Sequence, residues 1–192
     1  MADERWPAPW LSIPPYSIRP MLLEDIEQVM IIDDLAYPTP WKASGYEYEL
    51  TSNRYANYDA LTLDRPDNLI GYCGFWHVSG ECHISTIAIH PEWQGKGLGE
   101  LLFWHMQKRA LKLNAELTTL EVRESNHKAQ ALYQKYDLKT VGRRRRYYKD
   151  RGEDALIMTV APLDGAYRQF LAEKGEAIQE RIRQLSVQGV HY

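Results

Sequence analysis

The stretch Gln94-Gly95-Lys96-Gly97-Leu98-Gly99 lies between a predicted strand and a predicted helix. Its three glycines let the backbone approach a bulky anion closely, because no side chain stands in the way. The helix that follows adds free N–H groups and the positive end of its dipole, and both attract negative charge. The stretch therefore predicts a phosphate-binding turn, with a simple tight connection between strand and helix as the alternative.

The spacing of these glycines argues against two common phosphate-binding motifs. A Walker loop requires Gly-Lys followed by Ser or Thr, whereas here Lys96 precedes Gly97 and no hydroxyl follows. A dinucleotide fingerprint requires a third small residue where this sequence has Glu100 or Leu102, depending on where the count begins. Because Glu121 could still serve as a ribose-binding acid, a nucleotide-dependent oxidoreductase remains an alternative class of protein.

The sequence on both sides of the turn predicts an α/β fold, with helices on the faces of a mixed sheet. Alternating or short apolar runs, separated by turn signals, predict strands at 16–19, 55–63, 69–78, 82–90, 117–122, 139–147 and 154–160. Apolar residues three and four apart predict helices at 23–35, 41–53, 98–113 and 125–136.

The chain is expected to form one domain with two appendages. Its 192 residues and 44% hydrophobic content are ordinary for a single globular core. Residues 1–15 are rich in proline and predict an extended arm, because proline disfavours both helices and strand pairing. Residues 16–161 hold the predicted sheet, and residues 162–192 are predicted to form a peripheral C-terminal helix.

Composition gives no sign of a nucleic-acid, membrane or metal partner. The formal net charge is −3, so no basic excess would attract nucleic acid or anionic lipid. The sequence shows neither a secretory signal nor an apolar run of roughly 18 residues, and we expect a cytoplasmic protein, a monomer or weak dimer. The two cysteines are expected to be buried thiols, with a disulfide as the alternative. The spacing of the six histidines is not that of metal ligands: 77, 83, 90, 105, 127 and His191.

Several motifs agree, in order and spacing, with one family of enzymes. Gln94, Gly97 and Gly99 match the Gln/Arg-x-x-Gly-x-Gly/Ala pattern of the GNAT acetyltransferases. Further matches lie at residues 86–91, 120–126, 131–133, 147–148 and 153–158. Over about residues 16–161 the sequence resembles the RimI-type ribosomal-protein-alanine N-acetyltransferases.

The resemblance implies a GNAT fold, in which a mixed and mostly antiparallel central sheet is splayed near residues 87–89 to admit a thioester. It implies acetyl-CoA as the co-substrate and no metal. A backbone N–H on the splayed strand is expected to stabilise the negative charge that develops on the thioester oxygen. The residues expected to contact CoA are Ile87, Ala88, Ile89, Gln94, Gly95, Lys96, Gly97, Leu98, Gly99 and Asn126.

The resemblance also assigns the two proton transfers of the reaction. Glu121 is expected to be the base that takes a proton from the amine, directly or through water, and Tyr133 the acid that protonates the leaving thiolate. The residues alone leave simpler alternatives open. Glu121 could pair with Arg123 or Arg144, Tyr133 could be a core tyrosine, and Asn126 could be only a helix cap.

The acceptor implied by the resemblance is the N-terminal α-amine of a protein, such as a ribosomal protein that begins with alanine. An α-amine titrates near 7.7–8.0 and lysine near 10.4, so deprotonating lysine costs roughly 3.4 kcal/mol more. Tyr147 and Tyr148 are expected to line the peptide entrance, with Trp41 as its other wall. The alternatives are a small amine or protein lysine as acceptor, or a non-catalytic acyl-CoA-binding module.

Two further features bear on the acceptor side. Residues 143–146 form a run of four arginines, which predicts either a solvated hairpin edge, with two side chains on each face, or a rim that attracts the acceptor or the CoA phosphates. Asp137 stands where the family usually has glycine at the end of a helix. Aspartate tolerates the left-handed conformation expected there at some cost, so the fold should survive while acceptor preference could change.

Overall fold

The computed structural model of the chain describes residues 6–188, which form one eight-stranded sheet and five α-helices. The strands are β1 (Leu11–Ile13), β2 (Tyr16–Pro20), β3 (Ala56–Leu63), β4 (Leu69–Val78), β5 (Glu81–Ile89), β6 (Leu117–Arg123), β7 (Lys139–Tyr148) and β8 (Glu153–Val160). The helices are α1 (Ile26–Ala36), α2 (Ala43–Thr51), α3 (Leu98–Lys112), α4 (His127–Gln134) and α5 (Gly165–Gln188). Residues 1–5 of the predicted arm and residues 189–192 of the tail, His191 among them, lie outside the described residues.

The sheet has the order β1-β2-β3-β4-β5-β6-β8-β7, and its neighbouring strands are antiparallel except for β5 and β6. The predicted α/β class and the mostly antiparallel sheet are therefore confirmed. A parallel pair needs a long crossover connection, and α3 supplies it here between β5 and β6. The start of α3, with the glycine turn before it, consequently lies at the carboxyl end of β5.

Strands β5 and β6 diverge halfway along their length. They pair only over Glu81–Ile84 and Leu117–Leu120. Beyond that point β5 continues to Ile89 on its β4 side alone, while β6 continues to Arg123 paired with β8. The expected splay near residues 87–89 is thus present, and it opens the middle of the sheet next to the glycine turn.

Alternation along the strands decides which side chains face which helices. Cys82, Ile84 and Leu120 belong to the larger core, which α3, α4 and α5 cover. His83 and Glu121 alternate with these residues and point to the opposite face, where α1 and α2 cover a smaller core. Polar side chains of both strands therefore face the α1–α2 side at the point where the two strands begin to diverge.

The N-terminal arm pairs with the sheet, although its prolines predicted otherwise. Residues Leu11–Ile13 form an antiparallel ladder with β2, in which Ser12 opposes Ser17. Prolines interrupt pairing only where their own N–H is required, and Pro14 and Pro15 lie in the turn that follows β1. The predicted arm is therefore partly an edge strand.

Helix α5 is part of the larger core, not the peripheral helix that its charges predicted. Its Leu171, Ile178 and Ile182 are buried. A Cβ atom on Gly175 would lie 2.3 Å from the Trp104 ring of α3, so the two helices meet at closer range than any other residue allows. The Trp104 Nε1–H donates to the Leu171 carbonyl at 2.7 Å, which ties the helices together at this point. The predicted division at residue 161 therefore crosses one continuous core.

The structure also agrees with two expectations about single residues, the cysteines and Asp137. Cys73 and Cys82 are buried free thiols, and burial raises the pKa of the Cys82 thiol to about 12. Asp137 adopts φ of 61°, the left-handed conformation that the family's glycine would supply. In the part of the chain spanning residues 6–188, no helix is both long and apolar enough to cross a membrane.

Candidate active site

The glycine turn offers a row of backbone donors to an anion. Gly95 and Gly97 both adopt φ of 81°, and Gly97 caps the N-terminus of α3. Among residues 6–188, the N–H groups of residues 95–100 find no protein acceptor. A Cβ on Gly95 would meet no atom within 4 Å, so the outer side of the turn is open. The turn therefore has the open backbone donors that the expected phosphate site would need.

The side chains of the turn make contacts within the protein. Gln94 Nε2 donates to the Ile89 carbonyl at 3.1 Å, so this side chain fixes the turn to the end of β5. Leu98 is buried in the larger core and can offer a ligand only its backbone. The Lys96 ammonium lies 4.3 Å from the centre of the Trp93 ring, where a cation–π contact stabilises it.

Tyr37, which sequence reasoning missed, reaches into the splay from the end of α1. Its hydroxyl donates to the Ile87 carbonyl at 2.8 Å and lies 3.2 Å from Thr86 Oγ1. Burial raises the pKa of the Tyr37 phenol to about 12, so it keeps the proton that it donates. One backbone group of the strand expected to hold the co-substrate is therefore occupied by this chain's own side chain.

Glu121 is held on β6 by two basic side chains. Its carboxylate is only 9% exposed, with Oε2 2.6 Å from His83 Nε2 and Oε1 2.9 Å from Arg144 Nε. The hydrogen bond with His83 is the main cause that lowers the pKa of Glu121, and the charges of His83 and Arg144 add to it against the opposing effect of burial. The ion-pair alternative is thus realised with Arg144. Arg123 instead pairs with carboxylates of the β7–β8 hairpin.

His83 is the second residue that the sequence analysis missed. Its register partner across the parallel ladder is Thr119, so Glu121 lies two residues further on the same face of β6. The His83 ring packs edge-on against Trp76 with centroids 5.6 Å apart, and Trp76 Nε1–H donates to Glu49 of α2 at 2.6 Å. Only the register of β5 against β6 places His83 beside Glu121, and no local sequence motif indicates that register.

Tyr133 lies on α4 with its ring in the larger core. It is 7% exposed, and its ring centre is 5.0 Å from that of Phe103. Burial is the main cause that raises the pKa of the Tyr133 phenol, and the nearby phenols of Tyr37 and Tyr148 raise it further. The expectation of a core tyrosine is therefore correct for the ring, and the Tyr37 and Tyr148 phenols lie close enough to influence its pKa.

Asn126 and the two adjacent tyrosines occupy different parts of the site. Asn126 Oδ1 accepts from the Ala129 N–H at 3.1 Å, which is the simple role of a helix cap. Tyr148 donates to the Glu121 carbonyl at 3.5 Å, and its ring stands perpendicular to that of Tyr147 at 5.2 Å. Tyr148 therefore borders Glu121, and Tyr147 packs against Tyr148.

Trp41, the predicted opposite wall, packs against Tyr46 of α2 with ring centroids 5.4 Å apart. It therefore belongs to the α1–α2 side, the side that Glu121 faces. Its role as a wall of the entrance stays a prediction.

The arginine run does not place two side chains on each face. Arg146 adopts φ of 51° and the β7–β8 register shifts there, which breaks the alternation of the strand. Arg143 pairs with Glu124 at 2.6 Å at the exposed hairpin edge, while Arg144 holds Glu121. One arginine therefore follows the hairpin-edge interpretation and another belongs to the site. Within residues 6–188 no group of three or more potential ligands could hold a metal ion.

Comparison with known proteins agrees with this geometry. The sequence model of the Acetyltransferase (GNAT) family matches residues 26–137, and the chain belongs to this family. It is 43% identical over 144 residues to a Bacillus subtilis protein described as a putative [ribosomal protein bS18]-alanine N-acetyltransferase, covering 75% of this chain and 94% of that protein. The Escherichia coli [ribosomal protein bS18]-alanine N-acetyltransferase is 30% identical over 138 residues, which are 71% of this chain and 90% of that enzyme.

The solved structures give the same result. The crystal structure of the ribosomal-protein-S18-alanine N-acetyltransferase from Escherichia coli superposes with a TM-score of 0.70 and 27% identity, over 77% of this chain and 94% of that one. The GNAT fold and the resemblance to RimI-type enzymes are therefore confirmed. Ard1 from Thermoplasma volcanium, at 21% identity and a TM-score of 0.69, shares the fold.

Proposed function

We propose that this chain transfers the acetyl group of acetyl-CoA to the N-terminal α-amine of a protein, with a ribosomal protein that begins with alanine as the acceptor. The observation that carries the proposal is the buried Glu121 carboxylate, held by His83 and Arg144 where β5 and β6 separate. The other strand at this break, β5, leads into the glycine turn. The names of the Bacillus subtilis and Escherichia coli relatives support the same reaction and acceptor. The proposal needs no metal ion and no contact with nucleic acid, and it places the enzyme in the cytoplasm, where ribosomal proteins are made.

The turn and the splayed half of β5 have the shape and the backbone groups that suit acetyl-CoA. The open N–H groups of residues 95–100 suit the pyrophosphate, and the left-handed glycines leave room for it. The backbone of Ile87, Ala88 and Ile89 borders the splay and would hold the pantetheine arm. When bound there, acetyl-CoA supplies an activated acyl group as a thioester.

Glu121 is the proposed acceptor of the amine's proton. Its lowered pKa keeps it ionised through the neutral range, so it attracts an ammonium group and can take a proton directly or through water. A carboxylate of low pKa is a weak base, however, which favours an amine that loses its proton readily. The α-amine meets this condition better than lysine, by roughly 3.4 kcal/mol.

Tyr133 is the proposed donor to the leaving sulfur. As the amine nitrogen bonds to the acyl carbon and the carbon–sulfur bond breaks, one proton passes from the amine toward Glu121 and one from Tyr133 toward sulfur. The raised pKa of the Tyr133 phenol guarantees that the donor carries its proton at neutral pH. Tyr147 and Tyr148 would border the arriving peptide next to Glu121, and Trp41 would stand across from them.

Mass spectrometry of acetylated peptides tests the proposal. The peptides begin with Ala, Ser, Met or acetyl-blocked Ala, and a peptide whose only amine is lysine serves as the control. We expect one acetyl group on the α-amine of the Ala peptide and none on the blocked or lysine-only peptides. Equal acetylation of lysine would overturn the choice of acceptor. No acetylation of any peptide, with CoA binding intact, would indicate a non-catalytic binding module.

A further inference from the structure

The C-terminal helix α5 reaches the glycine turn, although its sequence lies beyond residue 161, where the resemblance ends. It runs antiparallel to α3, because Gly175 contacts Trp104 while Arg181, later in α5, contacts Glu100, earlier in α3. Six residues of helix span about 9 Å. The close approach at Gly175 therefore fixes the position of α5 along α3, and this brings Arg181 next to the start of α3.

The Arg181 guanidinium lies directly beside the backbone of the turn. Its Nη2 donates to Glu100 Oε2 at 2.8 Å. A Cβ atom built on Gly97 would lie 3.1 Å from Arg181 Nη2 and 3.4 Å from its Nε. The guanidinium thus lies at the edge of the space that a side chain on Gly97, the residue that caps α3, would fill.

This guanidinium has more hydrogen-bonding capacity than its protein contacts use. Arginine carries five N–H donors in a planar fork, and the contact with Glu100 engages one nitrogen. The Arg181 side chain is 45% exposed, so the other donors are reachable from solvent. A planar fork matches the oxygens of a phosphate group, which makes arginine the usual residue for binding phosphate with two parallel bonds.

We propose that Arg181 is a phosphate-binding residue of the acetyl-CoA site, contacting the pyrophosphate held by the turn around Gly97. The proposal rests on the proposed function, since it requires that the turn binds CoA. It makes the C-terminal helix a part of the co-substrate site, built on the chain's own α3–α5 contact. The competing explanation is that the Arg181–Glu100 pair only fastens the end of α5 to α3.

Calorimetric titration with CoA tests the role of Arg181 by comparing two matched variants. Arg181→Gln keeps most of the aliphatic stem and removes the charge. Arg183→Gln makes the same change two residues further along α5, where the side chain is 54% exposed and, among residues 6–188, pairs only with Glu180 at 3.6 Å. Because a charge-assisted hydrogen bond to phosphate is lost, we expect CoA to bind roughly 10-fold more weakly to Arg181→Gln, which corresponds to about 1.4 kcal/mol. Arg183→Gln should bind CoA as the wild type does.

A third variant, Glu100→Gln, separates phosphate binding from helix fastening. Both Arg181→Gln and Glu100→Gln remove the Arg181–Glu100 ion pair, and Glu100→Gln also removes a 3.7 Å contact with Lys135, so its thermal midpoint should fall at least as far. Only Arg181→Gln should lose CoA affinity, because Glu100→Gln removes a negative charge near the phosphate and should bind CoA at least as tightly as the wild type. Equal loss of affinity in the two variants would support fastening and overturn the proposal.

Titration with dephospho-CoA, which lacks the 3′-phosphate, fixes the phosphate concerned. The weakening by Arg181→Gln should persist with this ligand, since the pyrophosphate remains. A loss seen with CoA but absent with dephospho-CoA would assign Arg181 to the 3′-phosphate and refute the pyrophosphate contact. Wild-type protein that binds neither ligand would contradict the acetyl-CoA proposal itself, a result distinct from unchanged binding by Arg181→Gln.

Discussion

The two borders of the splay differ in the groups that form them: backbone N–H groups on one side and side chains on the other. On the co-substrate side, the turn before α3 presents backbone N–H groups, and its shape follows from two left-handed glycines. On the proposed acceptor side, the side chains of His83 and Arg144 hold the Glu121 carboxylate and lower its pKa, and they come from two other strands. A backbone site is encoded in a few consecutive residues, whereas a side-chain site is encoded in the register of the sheet.

A substitution that changes a single functional group should affect turnover most on the acceptor side. Glu121→Gln keeps the shape of the side chain but removes the proton acceptor, so we expect turnover to fall by about 100-fold or more. The dissociation constant for acetyl-CoA should stay unchanged, because the turn is untouched. Glu124→Gln is the matched control, since Glu124 follows β6 and, within the described part of the chain, pairs only with the exposed Arg143. Steady-state kinetics with the Ala peptide measure turnover, and calorimetry measures acetyl-CoA binding. If Glu121→Gln turned over as fast as Glu124→Gln, Glu121 would have no role in the mechanism.

The co-substrate side should respond to a change in backbone shape. Gly97→Val places a β-branched residue at φ of 81° and pushes its Cβ against Arg181, so the turn must shift. We expect CoA binding to weaken roughly 10- to 100-fold, as two charge-assisted hydrogen bonds lose their geometry. Gly152→Val has a similar backbone penalty at φ of 62° in the β7–β8 hairpin. It should lose stability without losing CoA affinity, and a similar loss of affinity in both variants would count against the placement of CoA.

The difference between the two borders explains what the sequence could predict. The turn, the amphipathic α3 and the order of the elements follow from local patterns, and the structure bears them out. His83 and Tyr37 escaped prediction because each acts through a partner 38 or more residues away in sequence, reached only by strand pairing or by the end of α1. The pairing of β1 and the burial of α5 were missed for a related reason. Proline content and charge describe a segment's own preferences, whereas Ile13 and Ile182 are buried by the rest of the core.

The pH dependence of turnover should reveal how His83 acts on Glu121. The hydrogen bond with His83 is the largest cause that lowers the Glu121 pKa, so the ionised base persists to a lower pH in the wild type. His83→Ala removes that cause, the pKa rises, and the acid limb of the turnover profile should move to higher pH. His83→Gln, which can keep an N–H donor without a charge, should move the limb less. An unshifted limb in His83→Ala would show that this contact does not set the ionisation of the base.

The smallest expected effect concerns the end of α4, just before the acceptor-side strand β7. Asp137 is held at φ of 61°, where a side chain costs about 1 kcal/mol or more. Asp137→Gly relieves this strain, but the freer glycine gains about 0.4–1 kcal/mol of unfolded-state entropy. The balance should be a stabilisation of about 0.5 kcal/mol, or about 1–2 °C in the thermal midpoint.

Because Asp137 already adopts the backbone conformation that glycine would supply, β7 should keep its position in Asp137→Gly. We therefore expect the variant to acetylate the Ala, Ser and Met peptides with the wild-type preference. Thermal unfolding together with the peptide assay checks both expectations. A changed preference would mean that the Asp137 side chain itself contributes to acceptor selection. Side-chain control on this side would then extend beyond Glu121 to the end of α4, and the contrast with the backbone-built turn would be sharper.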